Sequence, residues 1–176
     1  MGSRGMNEAI RPFVDFEKEM NQYMRAYYDL YGCTYDWNAV KNNFIGDKKK
    51  DVTLYYDNQK FLIEHKFRKV IYPDVLVEIN QDIKTNNSGW LYECGAEVLL
   101  YIICRPTEGV VQPIYFYKIE FKLFKNWFFS WLETEQRPNF RICKDKGYGI
   151  TLNTVVPIND IPEDIISPKV WIKEKE

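Results

Sequence analysis

The chain has 176 residues, of which 45% are hydrophobic and 16% aromatic, which suits one domain with a sizeable core. This composition excludes a largely disordered protein, and no apolar run has the length of a membrane span. The formal net charge of −1 argues neither for nor against nucleic-acid binding, because such binding depends on a local basic patch. We expect residues 1–6 to be a tag or a disordered start and residues 7–176 to form a single domain.

The cysteines and the N-terminus bear on the compartment. Cys33, Cys94, Cys104 and Cys143 lie far apart without CxxC spacing, and the single histidine leaves no zinc-site pattern. Buried reduced thiols are therefore favoured over disulfides. The first residues lack the hydrophobic region of a signal peptide. Together these features predict a cytoplasmic protein that does not associate with a membrane.

The first half of the chain predicts a helix and then strands. Phe13, Phe16, Met20 and Met24 recur at helical spacing, which predicts a helix from residue 7 to about 30. A loop is expected over residues 31–50. Apolar, β-branched runs then predict three strands, over residues 51–56, 61–68 and 74–80.

The second half predicts a mixed α/β domain with a central mixed sheet flanked by helices. The pattern leaves residues 90–98 open between helix and loop. The later elements are a buried strand at 97–105, a strand at 113–119, an aromatic helix at 120–134, a hairpin over 140–158 and a peripheral or frayed C-terminal segment. The aromatic side chains of the helix at 120–134 are expected to form core, with a dimer face as the alternative.

Charged residues in the first predicted hairpin form the main functional pattern. Glu64 and Lys66 project from the same face of their strand because side chains alternate, and His65 projects from the other face. A turn near residues 57–60 brings Asp51 roughly level with Lys66 or its neighbours. The pattern predicts that two carboxylates and one ammonium converge, and the alternative is an ion pair on the surface.

This trio suits the hydrolysis of phosphodiester bonds. Mg²⁺ prefers carboxylate oxygens and takes only one or two of them from a protein. Such an ion lowers the pKa of a water molecule and neutralises charge on the phosphate, while a lysine positions the water or stabilises the transition state. Glu17 lies along one edge of the apolar stripe of the first helix, so it is a further candidate ligand, or else a solvated surface carboxylate.

The segment from Asp51 to Glu64-x-Lys66 resembles the core motif of the PD-(D/E)XK nuclease superfamily, and residues 10–120 resemble its phage and mobile-element members. The resemblance implies a restriction-endonuclease-like fold, with Asp51 and Glu64 holding Mg²⁺ or Mn²⁺ and Lys66 as the catalytic lysine. It also allows an acid from the first helix, which here is Glu17. Lys50 stands where the motif has proline.

A second register of the same motif is present further along the chain. Pro73-Asp74 spells the first half of the motif, and Glu78 follows at a suitable spacing, but Asn80 replaces the lysine. The first register is preferred because it alone has the lysine. Asp74 or Glu78 can still contribute to the same cleft, so Glu78 is kept as a candidate metal ligand.

Nucleic acid, with DNA favoured over RNA, is the expected partner, and a homodimer is compatible with cleavage of two strands. The candidate contacts are basic side chains near the trio, a polar residue after the third strand and a tryptophan that offers a stacking face. These residues are Lys48, Lys49, Lys50, Arg68, Lys69, Gln81 and Trp90. The alternative function is a catalytically inactive module of the same fold that binds nucleic acid or protein.

Overall fold

A computed structural model describes residues 6–37, 51–69, 71–107, 110–134, 139–145, 149–167 and 170–171. Helices and strands follow one another throughout these ranges. In chain order the elements are α1 (Met6–Leu30), β1 (Thr34–Trp37), β2 (Val52–Tyr56), β3 (Gln59–Arg68), β4 (Asp74–Asp82), β5 (Asn87–Ser88), α2 (Trp90–Glu93), β6 (Val98–Thr107), β7 (Val110–Glu120), α3 (Phe121–Leu132), β8 (Asn139–Asp145), β9 (Gly149–Pro157), a 3₁₀ turn (Ile158–Asp160) and β10 (Val170–Trp171).

The strands described form two sheets. The first contains six strands in the order β1-β2-β3-β6-β7-β10, in which β3 and β6 run parallel and the other neighbours run antiparallel. The second contains four antiparallel strands in the order β5-β4-β9-β8. The described residues therefore fold as mixed α/β, as the sequence predicts.

A tight turn sets the register of the hairpin formed by β2 and β3. Asp57 and Asn58 both have positive φ, at 49° and 60°, which is the backbone of a two-residue type I′ turn. Asp and Asn tolerate this left-handed conformation better than most residues. The turn pairs Tyr56 with Gln59 and, further along, Val52 with Ile63.

Apolar side chains cover both faces of the six-stranded sheet. On one face, Phe16, Met20 and Met24 of α1 pack against the sheet at helical spacing. On the other face, the four-stranded sheet and α3 form a second core. Its fully buried members include Phe121, Phe124 and Phe128 of α3. The predicted aromatic helix therefore contributes core rather than a purely external face.

The structure departs from the sequence prediction at three places. β1 forms within the segment predicted as loop, because the short run at Thr34–Trp37 gains hydrogen bonds by pairing with β2. Most important, the strands form two sheets rather than one central sheet, and β4 pairs with β5 and β9 in the second sheet. Met6, expected in a disordered start, is the first residue of α1.

Two expectations concern membranes and thiols. Within the described ranges, no helix combines the length and the apolar character needed to cross a bilayer. Cys104 is buried, and burial raises the pKa of its thiol to about 12. This thiol therefore stays protonated and packs as a small apolar group.

Phe128→Ala is expected to destabilise the protein by about 3–5 kcal/mol, because a fully buried ring would leave a cavity. Phe129→Ala on the same helix removes a ring that is 38% exposed and should cost less than about 1 kcal/mol. Urea unfolding of both variants measures the difference. Equal losses would contradict the orientation of α3.

Candidate active site

Asp51 and Glu64 lie at the same end of the hairpin formed by β2 and β3. Asp51 directly precedes Val52 and Glu64 directly follows Ile63, and Val52 pairs with Ile63. The backbone N–H of Asp51 donates to the Ile63 carbonyl at 2.9 Å, and the charges of both acids act on the ammonium of Lys66. Both carboxylates are nearly buried, with exposures of 4% and 7%. The type I′ turn thus brings two acids together in a sheltered place.

Lys66 supplies the positive charge of this cluster. Its Nζ donates to Glu64 Oε1 at 2.7 Å, and its side chain is 30% exposed while that of Glu64 is 10% exposed. Burial alone lowers the pKa of Lys66, but Glu64, then Asp51 and Glu17, raise it above its ordinary value. Lys66 therefore remains an ammonium, and it is the more exposed partner of the pair.

Two further acids surround the ammonium. Glu17 of α1 is half-buried, and its charge contributes to the raised pKa of Lys66. Glu78 of β4 approaches from the second sheet, and burial raises the pKa of its carboxyl while Lys66 lowers it. The structure thus brings both predicted additional acids into the electrostatic surroundings of Lys66.

Trp90 packs beside the cluster at the start of α2. Lys66 Nζ lies 5.5 Å from the centroid of its ring, and Phe121 packs at 5.7 Å centroid to centroid. The backbone N–H of Trp90 donates to Glu78 Oε1 at 3.4 Å. Gly89 makes this position possible, because a Cβ there would come within 2.2 Å of the Glu78 carbonyl oxygen. Trp90 is therefore both a core contact and a neighbour of the ammonium.

His65 lies on the opposite face of β3, as strand alternation predicts. It is 3% exposed, its Nε2 forms a hydrogen bond with Tyr28 Oη at 2.7 Å, and its ring stacks on Trp37 at 5.4 Å. Its backbone N–H donates to Asp51 Oδ2 at 2.9 Å. His65 thus holds the Asp51 carboxylate through the backbone, while its imidazole belongs to the core beneath α1.

The residues of the second register, Asp74, Glu78 and Asn80, do not form one cluster. Asp74 accepts a hydrogen bond from Arg68 Nη2 at 2.9 Å, and Tyr72 packs over the same guanidinium at 5.3 Å. Asn80 Nδ2 reaches the Asn87 carbonyl at 3.5 Å. Of this register, only Glu78 joins the Lys66 cluster.

The remaining candidates for nucleic-acid contact are dispersed. Lys69 is exposed, with Nζ 4.1 Å from the Phe16 ring centroid, and Gln81 is exposed at the far end of β4. Arg68 is engaged with Asp74. Lys48, Lys49 and Lys50 lie outside the described residues.

Cys94 is a neighbour of the site that the sequence pattern did not single out. It is 5% exposed, and burial, followed by the charge of Glu64, raises the pKa of its thiol to about 12. An isolated cysteine carries no spacing signal. Only the packing of the segment after α2 against β3 brings it close to Glu64.

The cluster fits a hard divalent cation in its chemistry. Among the residues described, no group of three or more histidine, cysteine, aspartate or glutamate side chains is arranged to hold a metal ion. Mg²⁺ ordinarily takes one or two protein carboxylates and keeps several waters. Asp51 and Glu64 provide two such carboxylates. The ion pair between Lys66 and Glu64 shows that this carboxylate attracts positive charge.

Lys66→Met is expected to destabilise the protein by roughly 1–3 kcal/mol at neutral pH, because Glu64 and Asp51 would keep their charges without the ammonium. Lys84→Met, at an exposed position, should change stability by less than about 0.5 kcal/mol. Chemical unfolding measures both. An unchanged stability of Lys66→Met would show that the ion pair is solvated.

Gly89→Ala is expected to destabilise the protein by more than about 2 kcal/mol and to displace Trp90, because the added Cβ meets the backbone of β4. The fluorescence spectrum of the tryptophans and urea unfolding report the two effects. Ser88→Ala, at the exposed neighbouring position, is the control and should leave both unchanged.

Comparisons of this chain with models of protein families, with curated proteins and with solved structures found no match.

Proposed function

We propose that the protein is a metal-dependent nuclease that hydrolyses phosphodiester bonds of nucleic acid. The observation that carries this proposal is the cluster in which Lys66 donates to Glu64 at 2.7 Å and the charge of nearly buried Asp51 also acts on Lys66. Two sheltered carboxylates next to one lysine are costly for folding alone. A functional role explains why they occur together.

Asp51 and Glu64 would hold Mg²⁺ or Mn²⁺ in this proposal. When bound, the ion would acidify a water molecule and neutralise the charge that builds up on the phosphate. His65 keeps the Asp51 carboxylate in place through its backbone N–H at 2.9 Å. Glu17 and Glu78 are further acids from α1 and β4 that surround the same space, and they extend the set of oxygen donors.

Lys66 would act on the phosphate. Its side chain is 30% exposed, compared with 10% for that of Glu64. Three donors on a compact charge can bind a phosphoryl oxygen and orient the attacking water. The attack breaks one phosphorus–oxygen bond, and the product strands end in a phosphate and a hydroxyl group.

Membership of the PD-(D/E)XK superfamily, with a restriction-endonuclease-like fold, is part of the same proposal. It is supported by the spacing of Asp51, Glu64 and Lys66 on a β-hairpin that follows a helix carrying Glu17. The proposal also includes a cytoplasmic location, action on DNA and an origin in a phage or mobile element. A homodimer is compatible with it.

The second candidate is an inactive module of the same fold that binds nucleic acid or protein. The direct ion pair between Lys66 and Glu64 favours it, because such a pair already neutralises one carboxylate without a metal. The two candidates differ in metal binding. A nuclease must bind the ion at Asp51 and Glu64, whereas an accessory module need not.

Wild-type protein is expected to cleave nucleic acid in Mn²⁺ or Mg²⁺, and Lys66→Ala, Glu64→Gln and Asp51→Asn should each lose activity at least about 100-fold. Supercoiled plasmid, single-stranded DNA and RNA are the substrates. Glu93→Gln, at an exposed position of α2, is the matched control and should cleave like wild type.

Calorimetric titration with Mn²⁺ separates the two candidates. Wild type and Glu93→Gln should bind the ion, and Glu64→Gln and Asp51→Asn should not. Circular dichroism must show that each variant is folded. If folded wild type neither cleaves nucleic acid nor binds the metal ion, the nuclease is rejected in favour of the accessory module.

A further inference from the structure

A groove of about 720 Å³ lies next to the candidate active site. It is formed where the start of β3, the segment before β6, the end of β7 and the first half of α3 meet. Backbone hydrogen bonds join these pieces: Glu97 N–H donates to the Leu62 carbonyl, and Phe121 N–H donates to the Glu97 carbonyl, each at 2.8 Å. The groove is therefore built on regular elements.

Lysines dominate the charge of this groove. Lys60, Lys118, Lys122 and Lys125 line it, together with two acids. Both acids are engaged, because Glu120 pairs with Lys118 at 2.8 Å and Glu97 accepts from the Leu62 N–H at 3.1 Å. Within the part of the chain that the structure describes, Lys60, Lys122 and Lys125 form no ion pair. The groove thus carries an excess of positive charge on a chain whose net charge is −1.

Exposed aromatic rings continue the same surface of α3. Helical spacing puts Lys122, Lys125 and Phe129 on one side of the helix. Phe129 is 38% exposed, and its ring lies 5.7 Å from that of Tyr92, which is 47% exposed. Lysines beside accessible aromatic rings are the combination with which proteins bind single strands, since unpaired bases offer faces for stacking.

We propose that this groove and its aromatic pair bind single-stranded nucleic acid and guide it to the candidate active site. The lysines contact backbone phosphates, and Tyr92 and Phe129 stack on bases. The choice of nucleic acid as the polyanion rests on the proposed nuclease function. The base pairs of a duplex keep their faces stacked on one another, so a duplex would use only the lysines and would bind more weakly.

Two features place the groove near the active site. Cys94 lines the groove, and the charge of Glu64 contributes to the raised pKa of its thiol. Lys60 and Glu64 share one face of β3 and are four residues apart, which is about 13 Å along a strand. A strand bound by the lysines therefore passes within a few nucleotides of Lys66.

Fluorescence anisotropy of a labelled 12-nucleotide single strand, as DNA and as RNA, tests this inference in EDTA, where no cleavage occurs. The variants are the double variant Lys122→Gln/Lys125→Gln and the single variants Tyr92→Ala and Phe129→Ala. The controls are Lys84→Gln and Phe140→Ala, which change an exposed lysine and an exposed ring elsewhere. A duplex of the same sequence completes the set.

We expect the double lysine variant to weaken binding and to reduce the slope of log K against log salt by about 0.7 per lysine. Each aromatic variant should weaken binding about fivefold or more with the slope unchanged. Controls should bind like wild type, and the duplex should bind more weakly than the single strand. Groove variants that match the controls, a tighter duplex or no binding by wild type at low salt would overturn the inference.

The same assay separates this inference from the proposed function. If Lys66→Ala stops cleavage but the groove variants bind normally, the nuclease stands and the groove does not. If the groove variants lose binding although wild type cleaves nothing, the groove stands and the protein is a binding module.

Discussion

Two nearly buried carboxylates at one end of the hairpin between β2 and β3 are the constraint on which the rest of the site depends. Asp51 and Glu64 are 4% and 7% exposed, and like charges close together in a sheltered place disfavour each other's ionised form. The ammonium of Lys66 offsets this repulsion by donating to Glu64. The arrangement favours positive charge at this place, whether a lysine alone supplies it or a divalent cation joins it.

The fold keeps this cluster in place from three directions. The type I′ turn at Asp57–Asn58 fixes the register of the hairpin, and the backbone of His65 holds Asp51. The second sheet brings Glu78 toward Lys66. Rigid, packed elements position charged groups more accurately than loops, which is why an acid cluster on a covered sheet can support chemistry.

The proposed nuclease site and the lysine-lined groove form one functional hypothesis. A metal-dependent site acts on a phosphate wherever the backbone reaches it, so its selectivity must come from the surfaces that deliver the strand. The lysines and the pair Tyr92–Phe129 provide such a surface beside the cluster. Charge attracts any nucleic acid, whereas accessible rings favour strands with unpaired bases.

The sequence by itself determined the local features of this protein. Strand alternation placed Glu64 and Lys66 on one face and His65 on the other, and helical spacing predicted α1 and α3 to within a few residues. Register within a hairpin also follows from local turn chemistry, so the neighbourhood of Asp51 and Glu64 was predictable. Only the tertiary structure decided that β4 joins a second sheet, that Glu78 and Trp90 lie beside Lys66, and that distant lysines line one groove. These contacts join segments far apart in the chain, and which segments meet depends on how whole elements pack, which no local periodicity records.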